Sequence, residues 1–109
     1  MFKYIRKKFL RGMQVYEINM QELQQKQQEG AIVIDVRSTQ EYSEGHLTNA
    51  INIPYYEISK KIEDIVSSKE TVIIVYCGVG ARGKRAYKIL KKLQYKNVYN
   101  LHGGLENWQ

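Results

Sequence analysis

The sequence of 109 residues holds one cysteine, one proline and one tryptophan. No apolar run approaches the roughly 20 residues that span a bilayer. The lone Cys77 excludes an internal disulfide and fits a reducing compartment, most simply the cytoplasm. It also leaves no second thiol in the chain to resolve an oxidised Cys77, so any sulfur chemistry must finish on an external thiol. Two histidines and one cysteine, without the local spacing of a zinc site, give no reason to expect a metal or a cofactor. The N-terminus is basic, but no apolar segment of about 7–15 residues follows, so a secretory signal is not expected. Repeats and linkers are absent, and the length suits one domain.

Acidic residues are missing from two places. Before the first of them, Glu17, stand Lys3, Arg6, Lys7, Lys8 and Arg11. The rest of the chain carries 12 basic and 11 acidic side chains, too near neutrality to argue for nucleic acid. Residues 1–12 therefore read as a basic extension ahead of a domain at 13–109. Phe2, Tyr4, Ile5, Phe9 and Leu10 alternate with its cations, a pattern that suits a solvated tail, an anionic membrane surface or a partner. The second gap runs from Arg82 to Lys96, with seven cations and no acid. That stretch reads as a solvated face, or as one that attracts anionic donors or an acidic partner.

The apolar pattern alternates between strand and helix periods, which suggests an α/β fold with a parallel sheet. Asn19 is placed to cap a helix ending at Gly30. Ala31–Val36 is a buried strand by its β-branched run, and Ser38-Thr39-Gln40-Glu41 is a capping box opening a short helix. Ile51–Ile53 is a brief strand before Pro54. Ile58, Ile62, Ile65 and Val66 share one face of a helix spanning about 55–66. Thr71–Tyr76 is the clearest strand. After Cys77–Gly83 comes a helix with an apolar face of Ala86, Ile89, Leu90 and Leu93, then a strand at 97–101 and a final turn holding Trp108.

Cys77 thus follows the strongest strand and precedes a helix, at the carboxyl edge where open α/β sheets bind ligands. Gly78, Gly80 and Gly83 let the backbone turn its amides inward. Inward N–H groups and a helix start form an anion site that favours a thiolate, a persulfide or an oxyanion.

The run Cys77-Gly78-Val79-Gly80-Ala81-Arg82 resembles the C-x-x-G-x-R loop of rhodanese-family sulfurtransferases. Asp35-Val36-Arg37, Glu41-Tyr42, Glu44-Gly45-His46-Leu47, Asn49-Ala50 and Asn52-Ile53-Pro54 resemble that family's signature in order and spacing. Leu101, Gly103-Gly104 and Trp108 resemble its closing segment. The resemblance implies an open parallel five-stranded sheet with helices on both faces. It implies that Cys77 takes sulfur from thiosulfate or a protein persulfide and passes it to a thiol or cyanide. Amides from Gly78, Val79, Gly80, Ala81 and Arg82 would hold the persulfide, and Arg82 would help bind an anionic donor. Gly83 stands where the family often has Ser, so one hydroxyl donor is missing.

Around the loop, Asp35 and Arg37 are expected to form structural ion pairs, for instance Arg37 with Glu41. His46 and His102 are expected to satisfy nearby backbone, and Trp108 to pack. Two other functions remain open. A phosphatase or arsenate reductase would need the longer C-x5-R loop and a leaving-group acid. A binding module without turnover would commonly lack the cysteine.

Overall fold

The structure, a computed structural model, describes residues 13–108. The basic extension, with its expected membrane or partner contact, lies outside the described residues. Five strands form one parallel sheet: β1 Glu17–Ile18, β2 Ile32–Asp35, β3 Ile51–Asn52, β4 Val72–Tyr76 and β5 Asn97–Leu101. Their order across the sheet is β1-β5-β4-β2-β3. The helices are α1 Met20–Gln28, α2 Thr39–Ser43, α3 Ile58–Ile65 and α4 Ala81–Lys92, with 3-10 turns at Tyr55–Glu57 and Leu105–Trp108.

Period-two alternation sorts the central strand onto two cores. Ile73, Val75 and Cys77 pack with Ile58 and Ile62 of α3 and Ala86 and Leu90 of α4. Ile74 and Tyr76 point the other way, towards Leu23 of α1 and Leu105. Helices therefore cover both faces, and every crossover returns the chain to the same sheet edge.

Local signals place the first two helices. Asn19 and Glu22 form a reciprocal capping box at α1, and Ser38 and Glu41 do so at α2. Each satisfies backbone groups that a helix start leaves without partners. Two expectations need correction, and one strand was not foreseen. The helix expected from Tyr55 opens as a 3-10 turn, because the chain leaves Pro54 in extended geometry. Ile65 is 41% exposed, since α3 ends there and only Ile58, Ile62 and Val66 reach the core. Strand β1 was not visible as a strand, because its two residues include a buried glutamate.

Candidate functional site

Strand β4 delivers Cys77 to the carboxyl edge of the sheet, and the chain then turns into α4. Gly80 is the N-cap of α4 at φ +106°, a left-handed geometry that glycine adopts without strain, and it has no side chain to cap the helix. The cysteine supplies the missing acceptor. Gly80 N–H donates to Cys77 Sγ at 3.0 Å and Gly83 N–H at 3.2 Å. The sulfur thus stands where a capping oxygen would, facing the positive end of a helix of 12 residues.

Gly83 is more than a lost hydroxyl. Its amide is one of the two that reach the sulfur, and its missing Cβ matters more than its missing Oγ. A Cβ there would lie 2.1 Å from Oδ1 of Asn100 on β5. Asn100 is fully buried, and that oxygen has no hydrogen-bond partner among the described residues. Its amide nitrogen faces Glu17 Oε2 at 3.4 Å.

The loop is braced from the far end of the domain. Leu105 N–H donates to the Cys77 carbonyl at 2.7 Å, and Glu106 N–H to the Gly78 carbonyl at 3.0 Å. Gly104, at φ +74°, makes this approach possible: a Cβ there would meet the Gly78 carbonyl oxygen at 2.4 Å. The Gly103-Gly104 pair was legible as a turn, but not as a brace. Val79 forms the exposed tip of the loop, while Cys77 is fully buried. Any molecule therefore reaches the sulfur only as the groups at the loop mouth yield.

The charged residues pair differently from expectation. Arg37 does not reach Glu41. Its Nη2 lies 2.6 Å from Asp35 Oδ2, its Nε 3.0 Å from Oδ1, and its backbone N–H donates to Oδ1 at 2.9 Å. The Asp35 carboxylate lies at the end of β2, and the turn folds Arg37 back over it before α2 begins. Arg37 also donates to the Gly45 carbonyl at 2.6 Å. The Asp35 carboxylate raises the guanidinium further above its ordinary range.

Glu41 instead takes Arg82. The two nitrogens Nη1 and Nη2 meet Oε1 and Oε2 at 2.6 and 3.0 Å, a bidentate pair. Arg82, with assistance from Ser38, lowers the Glu41 carboxyl to about 2. The guanidinium expected to receive an anionic donor is thus held by a carboxylate of the same chain.

His46 Nδ1 lies 2.9 Å from the Tyr42 carbonyl, with its ring stacked on Tyr42. It sits apart from the sulfur, on the wall of a cleft of about 480 Å³ shared with Arg37, Glu41, Glu44, Leu105 and Trp108. His102 departs from expectation, since its Nδ1 faces the buried Glu17 carboxylate at 3.3 Å rather than backbone. Trp108, expected to pack, is exposed at the end of the final 3-10 turn, and its indole N–H donates to the His102 carbonyl at 2.8 Å.

The chain has relatives among known proteins. The family model of the rhodanese-like domain matches residues 19–109. A thiosulfate sulfurtransferase of Escherichia coli, PspE, is 38% identical over 74 residues, covering 68% of this chain and 70% of that protein. A probable molybdopterin-synthase adenylyltransferase of Porphyra purpurea is 35% identical over 97 residues. The match covers 86% of this chain but only 25% of that longer relative. Among solved structures, the human single-domain sulfurtransferase TSTD1 superposes with a TM-score of 0.75 at 25% identity, over 87% of this chain and 96% of that one.

Proposed function

From the premise that the chain belongs to the rhodanese-like domain family, we infer that it is a sulfurtransferase working through a persulfide on Cys77. The Cys77 thiolate attacks the outer sulfur of a sulfane donor such as thiosulfate. A new S–S bond forms, the donor's S–S bond breaks, and its electron pair leaves with sulfite. An external thiolate, or cyanide, then attacks the terminal sulfur of the persulfide. The second S–S bond breaks and Cys77 departs as a thiolate, so neither half-reaction needs another oxidant or reductant. Because the thiol must stay reduced between cycles, a reducing compartment such as the cytoplasm suits it.

The observation that carries this reading is the convergence of the Gly80 and Gly83 amides on Sγ at the start of α4. The same cradle can follow the negative charge outward when sulfur is added. The Arg82–Glu41 pair weighs against a phosphatase, because an arginine clamped at both nitrogens offers no free fork to a tetrahedral oxyanion. An intact nucleophile within its cradle weighs against a module that only binds.

The test is intact mass after incubation with thiosulfate. The protein is expected to gain one sulfur atom, which dithiothreitol or cyanide removes, and Cys77→Ser is expected to gain none. Failure to load from any sulfane donor, together with phosphate release from an aryl phosphate, would overturn the reading.

A further inference from the structure

Charge is divided very unequally over the described residues. Seven cations and no carboxylate lie between Arg82 and Lys96, while the rest of residues 13–108 carry eleven carboxylates against five cations. Lys84, Arg85, Lys88, Lys91 and Lys92 are all exposed on α4. The salt bridges among the described residues engage other cations: Arg37, Lys61, Lys69, Arg82 and Lys96. Folding explains only part of this placement: Lys91 and Lys92 suit the negative end of α4, and Arg82 is paired with Glu41. Arg82 and Lys84 occupy the first turn of α4, Arg85 follows directly, and that turn holds no acid. Cations at the positive end of a helix cost about 0.3–1 kcal/mol each.

Two exposed apolar groups adjoin the cations. Val79, at the tip of the Cys77 loop, is 64% exposed, and Tyr56 is 66% exposed. The turn holding Tyr56 packs on α4, with Arg85 over the neighbouring Tyr55 ring at 5.7 Å. Apolar groups amid charge, beside a reactive centre, have the make-up of a protein interface.

We propose that this surface, running from Val79 and Tyr56 along Lys84, Arg85 and Lys88, docks an acidic protein that takes sulfur from Cys77. It rests on the sulfur-transfer reading above. A small anion does not account for it. Helix α4 runs about 18 Å away from the loop, so Lys88 and the lysines beyond it cannot touch an ion at Sγ. The cation best placed for one, Arg82, is held by Glu41. An acidic face of protein size meets the whole row at once and brings its thiol to the loop under electrostatic steering.

The experiment loads the full chain with thiosulfate, removes the excess, and follows discharge by intact mass. The acceptors are dithiothreitol and two short peptides with one cysteine each, flanked either by glutamates or by lysines. Each peptide rate is normalised to that peptide's attack on a neutral disulfide. The glutamate peptide is expected to discharge the persulfide about tenfold faster at low salt, with the advantage lost near about 1 M salt. The double variant Lys84→Glu, Lys88→Glu is expected to abolish the preference and leave discharge by dithiothreitol unchanged. Equal rates, or a preference that charge reversal leaves intact, would overturn the proposal. So would preferential binding of RNA or of phosphatidylserine vesicles that the double variant loses, with no preference for the glutamate peptide. Anisotropy of a labelled glutamate peptide lacking cysteine keeps the two failures apart. Binding that charge reversal removes supports the surface even if Cys77 never loads, and absence of such binding refutes the surface alone.

Discussion

The loops that follow β2 and β4 leave paired strands at the same edge of the sheet, yet they are held by different means. The loop after β2 is held by side chains: Asp35 grips Arg37, and Ser38 and Glu41 close a capping box. The loop after β4 is held almost wholly by backbone. Its amides donate to Sγ, and its carbonyls accept from Leu105 and Glu106. The difference suits the function proposed above. Side-chain charge fixes the frame. A sulfur that gained and lost an atom, as proposed, would need donors that cannot titrate. The Arg82–Glu41 pair ties the soft loop to the stiff one.

The comparison breaks most severely if the stiff loop loses its buried charge. Asp35→Asn leaves the Arg37 guanidinium nearly buried without its counter-charge, and a loss of about 3–5 kcal/mol in urea unfolding is expected. A loss below about 1 kcal/mol would mean that the pair does not hold the loop.

Gly83→Ser tests the soft loop. Restoring the side chain common in the family pushes its Cβ into Asn100, so the substitution is expected to cost about 1–3 kcal/mol by overpacking. It is also expected to slow persulfide loading by shifting the Gly83 amide. In a double-mutant cycle with Asn100→Ala, the pair is expected to cost less than the sum of the singles. Strict additivity would disprove the steric account.

Glu41→Gln tests the tie with the smallest effect. The capping geometry survives but the charge goes, and both partners are part-exposed, so about 1 kcal/mol or less is expected. The sign of the pH dependence is fixed by the depressed carboxyl. Its stabilisation is complete above about 4.5, the ordinary value, and is lost as pH falls towards the folded value of about 2. The difference in stability between wild type and Glu41→Gln should therefore shrink across that window. A constant difference would remove the ion pair as its cause.

Some of this arrangement was legible in sequence because it is local. β-branched runs marked β2 and β4, Asn19 marked a helix cap, and the spacing from Ser38 to Glu41 marked a capping box. The strand-to-helix glycine run marked the site of Cys77. Long-range pairing was not legible. Glu41 and Arg82 lie 41 positions apart, and the four-residue spacing of Arg37 and Glu41 suggested a nearer partner, although the turn sends Arg37 back to Asp35. Strand β1 escaped notice because two residues carry no period and Glu17 looks solvated until β5 covers it. The inward amide of Gly83 was legible, but a glycine does not advertise the neighbour, here Asn100, that fills its space.

The brace from Gly104 to Glu106 also orders events in time. A ribosome releases β4 and Cys77 well before the segment that clasps them. Until that segment docks, the Cys77 and Gly78 carbonyls lack the partners that hold them in the finished fold. The binding cradle is therefore completed by an element that emerges after it, and a chain stopped short of that element carries its thiol without the frame that directs it.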